Sequence, residues 1–328
     1  MKSQLNDPFN RTIEYLRLSV TDRCDLRCSY CMPKGFKDFE TPENWLTFDE
    51  ISRVIGAFGE LGVKRIRLTG GEPLVRKGVA DLSKQLIQLP GIEDLSLSTN
   101  AVQLERFAQP LFDAGVARLN VSLDTLNPEK FKEITGGGKL DKVIKGLIKA
   151  KAVGFKPIKL NMVALKGIND DEIFDMVDFC REHGFTLRFI ETMPMGDTGR
   201  NSPDQFMSVD EIKAQLTERY ELIPGFVPGG GPANYMQIVG SDIKLGFITP
   251  ITQHFCETCN RVRLSVDGTL YMCLGQDHSF ELRPLLRQGI SDEGLKEAII
   301  EAIALKPLKH EFNENPEKVV RFMSSTGG

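Results

Sequence analysis

The sequence predicts an α/β fold, an incomplete (β/α)6 TIM-like barrel whose mouth is closed by a C-terminal β-hairpin and helix region. Three observations predict it. Six short β-type runs alternate with helical stretches through residue 190. Each run has one apolar face and one polar, mostly cationic face. After residue 220 the alternation stops, and Pro- and Gly-rich connections link paired β-like runs. Strands that alternate with helices pair in parallel through right-handed crossovers.

The runs cover residues 15–20, 65–69, 94–98, 118–123, 158–163 and 186–190. Successive strand side chains point to opposite faces. In the first run Leu16, Leu18 and Val20 therefore oppose Arg17 and Ser19. The second sets Ile66 and Leu68 against Arg65, Arg67 and Thr69, and the third sets Leu95 and Leu97 against Ser96 and Ser98. The fourth opposes Leu119, Val121 and Leu123 to Asn120, Ser122 and Asp124. Leu160 and Met162 oppose Lys159 and Asn161 in the fifth, and Leu187 and Phe189 oppose Arg188 in the sixth. Between the first two runs, residues 47–61 carry Ile51, Val54, Ile55 and Phe58 at helical spacing. That helix opens on Thr47-Phe-Asp-Glu50, a capping box, and Ser208-Val-Asp-Glu211 repeats the device. A closed eight-stranded barrel fills its interior with branched apolar side chains. Polar inner faces instead imply an open barrel with a ligand cavity; a sheet with one solvated face is the alternative, although βα crossovers cover both faces.

Residues 224–232 (PGFVPGGGP) form a turn-rich connection, followed by β-like runs at 235–239 and 244–248. Asp267-Gly268, between 261–266 and 269–272, is a two-residue hairpin signal, and 292–304 is an amphipathic helix. The expected division is a barrel domain over 1–222 and a C-terminal region over 223–328.

A net charge of −4 argues against a general nucleic-acid binder, which needs a broad basic field. No apolar run reaches the ~18–20 residues of a membrane span, and the first residues lack a signal-peptide core. A cytoplasmic protein is the expectation. There are seven cysteines, six of them in two tight groups, which in a reducing compartment favours metal ligation over disulfides. Cys180, on a helical stretch beside Phe179, reads as a buried thiol with no role.

The first group is Cys24-Asp-Leu-Arg-Cys28-Ser-Tyr-Cys31, directly after the first strand. Cubane iron–sulfur clusters usually take four thiolates, and no fourth cysteine lies nearby, so three would leave one iron open. Structural zinc needs four sulfur or nitrogen ligands, and no nearby histidine completes a tetrahedron. The second group is Cys256-Glu-Thr-Cys259-Asn-Arg261-Val-Arg263, with Cys273 brought back by the hairpin. Here a zinc site with His254 or His278 as fourth ligand stands beside a cluster.

The first group, with Tyr30, and Gly70-Gly71-Glu72-Pro73 after the second strand resemble the radical S-adenosylmethionine (SAM) superfamily. More specifically, the chain resembles the GTP 3′,8-cyclase family almost end to end. The matching runs include Arg17–Cys24, Ile66–Pro73, Asn120–Asp124, Arg188–Glu191, the second cysteine group and the terminal Gly327-Gly328. The resemblance implies two [4Fe–4S] clusters, on Cys24, Cys28 and Cys31 and on Cys256, Cys259 and Cys273. It implies SAM contacts at Tyr30, Gly71, Ser122 and Met193. GTP contacts fall on Arg17, Arg67, Ser98, Lys159, Arg261 and Arg263, with Arg17, Arg261 and Arg263 as the catalytic set. Arg65 stands where relatives are expected to carry Lys, and Ser98 where they carry Thr; both swaps keep a donor.

The implied reaction takes the ribose C3′ hydrogen with a 5′-deoxyadenosyl radical and joins C3′ to guanine C8. This is the first step of molybdenum cofactor biosynthesis. The implied partners are an electron donor such as flavodoxin or ferredoxin, cyclic pyranopterin monophosphate synthase downstream, and a second copy in a homodimer. Neither nucleic acid nor membrane is expected. The terminal Gly-Gly is implied to enter the active site. The rival readings are a peptide-modifying radical SAM maturase, which carries more C-terminal cysteines, and a non-catalytic metal-binding module.

Overall fold

The structure, a computed structural model, describes residues 4–32, 35–195, 203–227, 229–314 and 321–327. The expected strands are present as β1 (Tyr15–Ser19), β2 (Arg65–Thr69), β3 (Asp94–Thr99), β4 (Arg118–Ser122), β5 (Ile158–Val163) and β6 (Thr186–Ile190). They pair in parallel in sequence order. Helices connect them: α1 (Phe48–Glu60), α2 (Val79–Ile87), α3 (Leu104–Asp113), α4 (Pro128–Ile134), α5 (Leu140–Val153) and α6 (Ile173–His183). Thr47 and Glu50 close the capping box of α1 reciprocally, satisfying two amides that a helix start leaves unpaired. Ser208 and Glu211 do the same for α7 (Val209–Arg219).

The apolar strand faces are turned outward onto the helices. Leu16, Leu18, Ile66, Leu95, Leu119 and Leu187 are fully buried, as are Ile51, Val54, Ile55 and Phe58 of α1. Cys180 is fully buried in the same core.

The C-terminal strands β7 (Leu222–Gly225), β8 (Asn234–Ile238), β9 (Lys244–Ile248), β10 (Arg261–Leu264), β11 (Thr269–Tyr271) and β12 (Ser279–Glu281) add to both edges of this sheet. β9 lies parallel to β6, and β10 lies parallel to β1. The order is β12-β11-β10-β1-β2-β3-β4-β5-β6-β9-β8-β7, so eight consecutive strands run parallel and the sheet stays open. β7 overlaps the start of the segment read from its Pro and Gly content as a connection, at Pro224 and Gly225. It is a short edge strand paired on one side only, by β8, and Pro is tolerated at such an edge. The hairpin β10–β11 turns at Gly268, whose φ of 85° suits glycine. Two short helices follow, α8 (Arg283–Arg287) and then α9 (Asp292–Ile303), which packs on α1 through Arg53–Asp292 and Lys296–Glu60 ion pairs. No helix among the described residues is long and apolar enough to cross a membrane.

Candidate active site

The inner sheet face and the loops at the strands' C-terminal ends enclose one cavity, and all six grouped cysteines line it. The first three sit on the loop after β1. Its backbone is laid directly on the Gly-Gly-Glu turn after β2: Gly71 N donates to Thr21 O at 2.8 Å, and Glu72 N to Arg23 O at 2.8 Å. A Cβ on Gly71 would lie 2.3 Å from Arg23 O, so only glycine permits this approach. The Glu72 carboxylate accepts from Leu74 N, Thr99 Oγ1 and Asn100 N at 3.0, 2.7 and 2.6 Å. Burial nevertheless raises its pKa to about 8. Asn100 reaches from there to Asp25 and to Cys24 Sγ. Cys31 N and Met32 N both donate to Cys28 O, a tight turn that holds Cys28 near Cys31. Tyr30 donates to Asp124 Oδ2 at 2.6 Å, and Asp124 Oδ1 accepts from Val163 N at 2.8 Å, tying the loop to the ends of β4 and β5.

The second three sit at the opposite end of the strands, Cys256 and Cys259 before β10, which runs parallel to β1, and Cys273 after antiparallel β11. Cys256 and Cys259 flank a short turn closed by Cys259 N donating to Cys256 O, and the β10–β11 hairpin returns Cys273 to them. Burial raises most of these thiols, Cys256 and Cys273 included, and Cys259 is the exception. Burial pushes Cys24 up to about 12 and Cys28 well above its usual value, and the neighbouring thiols add to both. Burial also raises Cys259, but the charges of Lys306 and Arg261 outweigh it and bring this thiol down to about 7.

Between the two sets stands a wall of guanidinium groups. Strand register places Arg263 beside Arg17 and Arg17 beside Arg67. Arg261 and Arg188 line the same cavity. Burial lowers Arg17 to about 10, partly offset by Tyr15 and reinforced by Arg67 and Arg261. The Nε atoms of Arg17, Arg67 and Arg261 are buried without a hydrogen-bond partner. Arg188 is different: Asn161 and Asn120 hold it at 2.8 and 2.7 Å. Arg263 Nη1 donates to Gly327 O at 2.5 Å, which places the chain's C-terminal end in the site; Gly328 lies outside the described residues. Tyr30, Gly71, Ser98, Ser122 and Met193 line the cavity as well. Lys159 is buried near Arg188, Arg118 and Arg67 with its ammonium over the Tyr235 ring, but it does not line the cavity. Arg65 does not either; it pairs with Glu14.

Two family descriptions match the chain: the Radical SAM superfamily over residues 18–180, and Molybdenum Cofactor Synthesis C over residues 185–312. The GTP 3′,8-cyclase of Hydrogenovibrio crunogenus is 49% identical over 329 residues, covering 99% of each chain. GTP 3′,8-cyclase 1 of Pseudomonas aeruginosa is 48% identical, covering 98% of each.

The chain belongs to the GTP 3′,8-cyclase family.

Among solved structures, Streptococcus suis SuiB bound to S-adenosylmethionine shares the fold, with a TM-score of 0.58 at 17% identity over 87% of this chain and 67% of that one. Radical SAM enzymes of the GTP 3′,8-cyclase family use SAM and iron–sulfur clusters, and the site fits both. The Cys24 and Cys28 thiols are held protonated by burial, and iron would supply the missing positive charge that ionises them. No three His, Cys, Asp or Glu side chains among the described residues close around a single metal ion. Cubane ligands need not do so, because each thiolate binds a different iron. His254 and His278, the candidate zinc ligands, are exposed and do not line the cavity; His310 does.

Sequence reading gave no role to Glu72, Asp124, Glu191, Lys306 or His310. Glu191 is fully buried and anchors Val209 N, Ile251 N, Thr252 N and Thr252 Oγ1, joining β6 to the loop after β9. Glu72, Asp124 and Glu191 all sit within motifs quoted above, at strand ends, where that position was the available signal. Lys306 and His310 fall in a segment with no pattern.

Proposed function

We propose that Cys24, Cys28 and Cys31 hold the cluster that binds SAM, and that Cys256, Cys259 and Cys273 hold a second cluster that receives GTP. The chain is a radical SAM enzyme that converts GTP to 3′,8-cyclo-7,8-dihydroguanosine triphosphate in molybdenum cofactor biosynthesis. The single observation that carries the assignment of residues is one cavity lined by both thiol sets with a guanidinium wall between them.

The cluster held by Cys24, Cys28 and Cys31, together with SAM, would supply the radical chemistry needed to remove the ribose C3′ hydrogen. The protein's own work is placement. Tyr30, Gly71, Ser122 and Met193, which line the cavity beside the first cysteines, would hold SAM. Arg17, Arg67 and Arg261 bring planar, forked donors suited to a triphosphate, and their unpartnered Nε atoms await an acceptor. Arg263 and Ser98 border the same space, while Lys159 adds charge from behind Arg188 and Arg67. In this division, residues 1–222 make the radical and residues 223–328 complete the cavity and set its target. A low-potential one-electron donor such as flavodoxin or ferredoxin, a downstream cyclic pyranopterin monophosphate synthase, a homodimer and a cytoplasmic setting complete the proposal.

The test is anaerobic reconstitution followed by iron and sulfide analysis. About eight irons per chain, matching two cubanes, and cyclised nucleotide with 5′-deoxyadenosine from SAM, GTP and reductant are expected. Arg263→Ala should abolish cyclisation while leaving that iron content intact. Zinc without sulfide, or SAM cleavage equally fast without GTP and no nucleotide product, would falsify the assignment.

A further inference from the structure

Arg11, Arg261 and Lys306 bear on Cys259, while Arg263 and Arg321 lie nearer Cys273; the first three differ in what else engages them. Arg11 donates Nη1 to Cys256 O at 2.7 Å, but its Nε is paired with Asp7 at 2.5 Å. Arg261 lies over the Phe255 ring and lines the substrate cavity. Lys306, in the segment after α9, is 3% exposed. Its Nζ donates to Met272 O at 2.7 Å and Arg261 O at 3.0 Å, and stands 3.7 Å from Cys259 Sγ. Two carbonyls thus aim it at the sulfur, and no carboxylate among the described residues pairs with it. A buried ammonium without a counter-ion is costly, so a fold keeps one where an anion will face it.

We propose that Lys306 is the built-in counter-charge of the second iron–sulfur cluster, a positioning residue that donates to the Cys259 sulfur and raises that cluster's reduction potential. This rests on the reading that Cys256, Cys259 and Cys273 hold a cluster. Adding one electron to a thiolate-ligated cubane makes an anionic group more anionic. A nearby cation and a hydrogen bond to sulfur both favour the reduced state. At the first site the contacts to Cys24 Sγ come from Leu26 N and the Asn100 amide, both neutral, and Arg27 reaches the Cys24 carbonyl instead. Lys306 also spans from the β10 start to the β11 end, so its charge stays fixed relative to both Cys259 and Cys273.

The test is a dithionite titration of the anaerobically reconstituted enzyme followed by electron paramagnetic resonance. SAM and GTP mark the signals of the first and second clusters by perturbing each in turn. In Lys306→Met, reduction of the second cluster should become at least about tenfold less favourable, or about 59 mV more negative for one electron. The first cluster should not move, and Lys306→Arg should restore the potential. Lys306→Gln repeats the test with donors but no charge. Loss of the second cluster in both neutral variants but not in Lys306→Arg supports the counter-charge equally. An unchanged potential in a fully loaded Lys306→Met, or loss of that cluster in all three variants, overturns it. Wild-type protein with iron for only one cubane would instead overturn the reading beneath it.

Discussion

At the scale of single residues, the site is a set of cations held where they are electrostatically uncomfortable. Lys159 shows it most clearly. Burial, then the charges of Arg188, Arg118 and Arg67, lower its pKa to about 7. Its folded-state value lies below the unfolded one near 10.5. The unfolded chain therefore binds more protons between about pH 7 and 10.5, and this group makes the ligand-free fold gain stability as pH rises through that window. Below about pH 7 both states are protonated and the penalty is present in full. A triphosphate arriving nearby reverses the balance and returns the proton. Calorimetric titration of GTP at pH 7.5, in buffers of different ionisation enthalpy, should show about three-quarters of a proton more uptake by wild type than by Lys159→Met. Equal uptake would remove Lys159 from the substrate field. The lumen position of this lysine was legible from strand alternation alone. Its depth behind Arg188 was not, because alternation gives the face of a side chain and not how far along the cavity it ends. Lys306 was not legible at all, since it lies on no strand or helix and its partners are backbone carbonyls about 34 to 45 residues away in sequence.

At the scale of elements, the six parallel strands and the capped helix α1 could be read because each repeats a local rule. β3 runs one residue further than expected, to Thr99, whose hydroxyl serves Glu72. The edges of the sheet could not be read. β9 and β10 join β6 and β1 across large sequence separations, and no local pattern announces which strand a later run will pair with. The loop after β1 stands between these cases: its cysteines were obvious, but its support was not. It rests on the turn after β2 through Gly71, with no room for a Cβ against Arg23 O and further Arg23 and Asp22 backbone atoms at 2.6 and 2.9 Å. Backbone cannot yield as a flexible side chain would. Gly71→Ala should therefore push the cysteine loop off its bed and cost the enzyme about half its iron, since the two cubanes are equal in size. The second cluster's resonance signal should survive. Full iron and undiminished SAM cleavage in the variant would show that the loop does not depend on this contact.

At the scale of the whole molecule, the two ends of the chain converge on the cavity that the middle builds. Arg11, near the start, binds the carbonyls of Cys256, Pro307 and Leu308 and so fastens the second cysteine turn to the C-terminal segment. Arg321 lies over the Tyr271 ring and donates to the carbonyls of Cys273, Leu274 and Gln276, fastening the tail beside the third cysteine. From that anchor the chain enters the site, where Gly327 accepts from Arg263. The sequence offered only small residues there, and their entry into the site was an expectation from resemblance. Gly327 has a φ of 74°, and a Cβ on it would lie 2.2 Å from Thr69 Cγ2 and 2.8 Å from Thr69 Oγ1. Thr69 is β-branched, stiff at χ1 and fixed at the end of β2, so it cannot swing aside. A radical reaction needs a closed cavity, because an open one lets solvent or stray groups quench the radical. Gly327→Ala should therefore leave both clusters and SAM cleavage in place while lowering cyclised product on the order of tenfold, through lost alignment rather than lost chemistry. The readout is the ratio of cyclised nucleotide to 5′-deoxyadenosine. A fall in that ratio locates the fault in closure; an unchanged ratio, with both products reduced together, would place the tail outside the alignment of the substrate. Thr69→Ala in the same chain makes room for the added methyl and should recover part of the ratio, which a tail acting only through overall stability would not do.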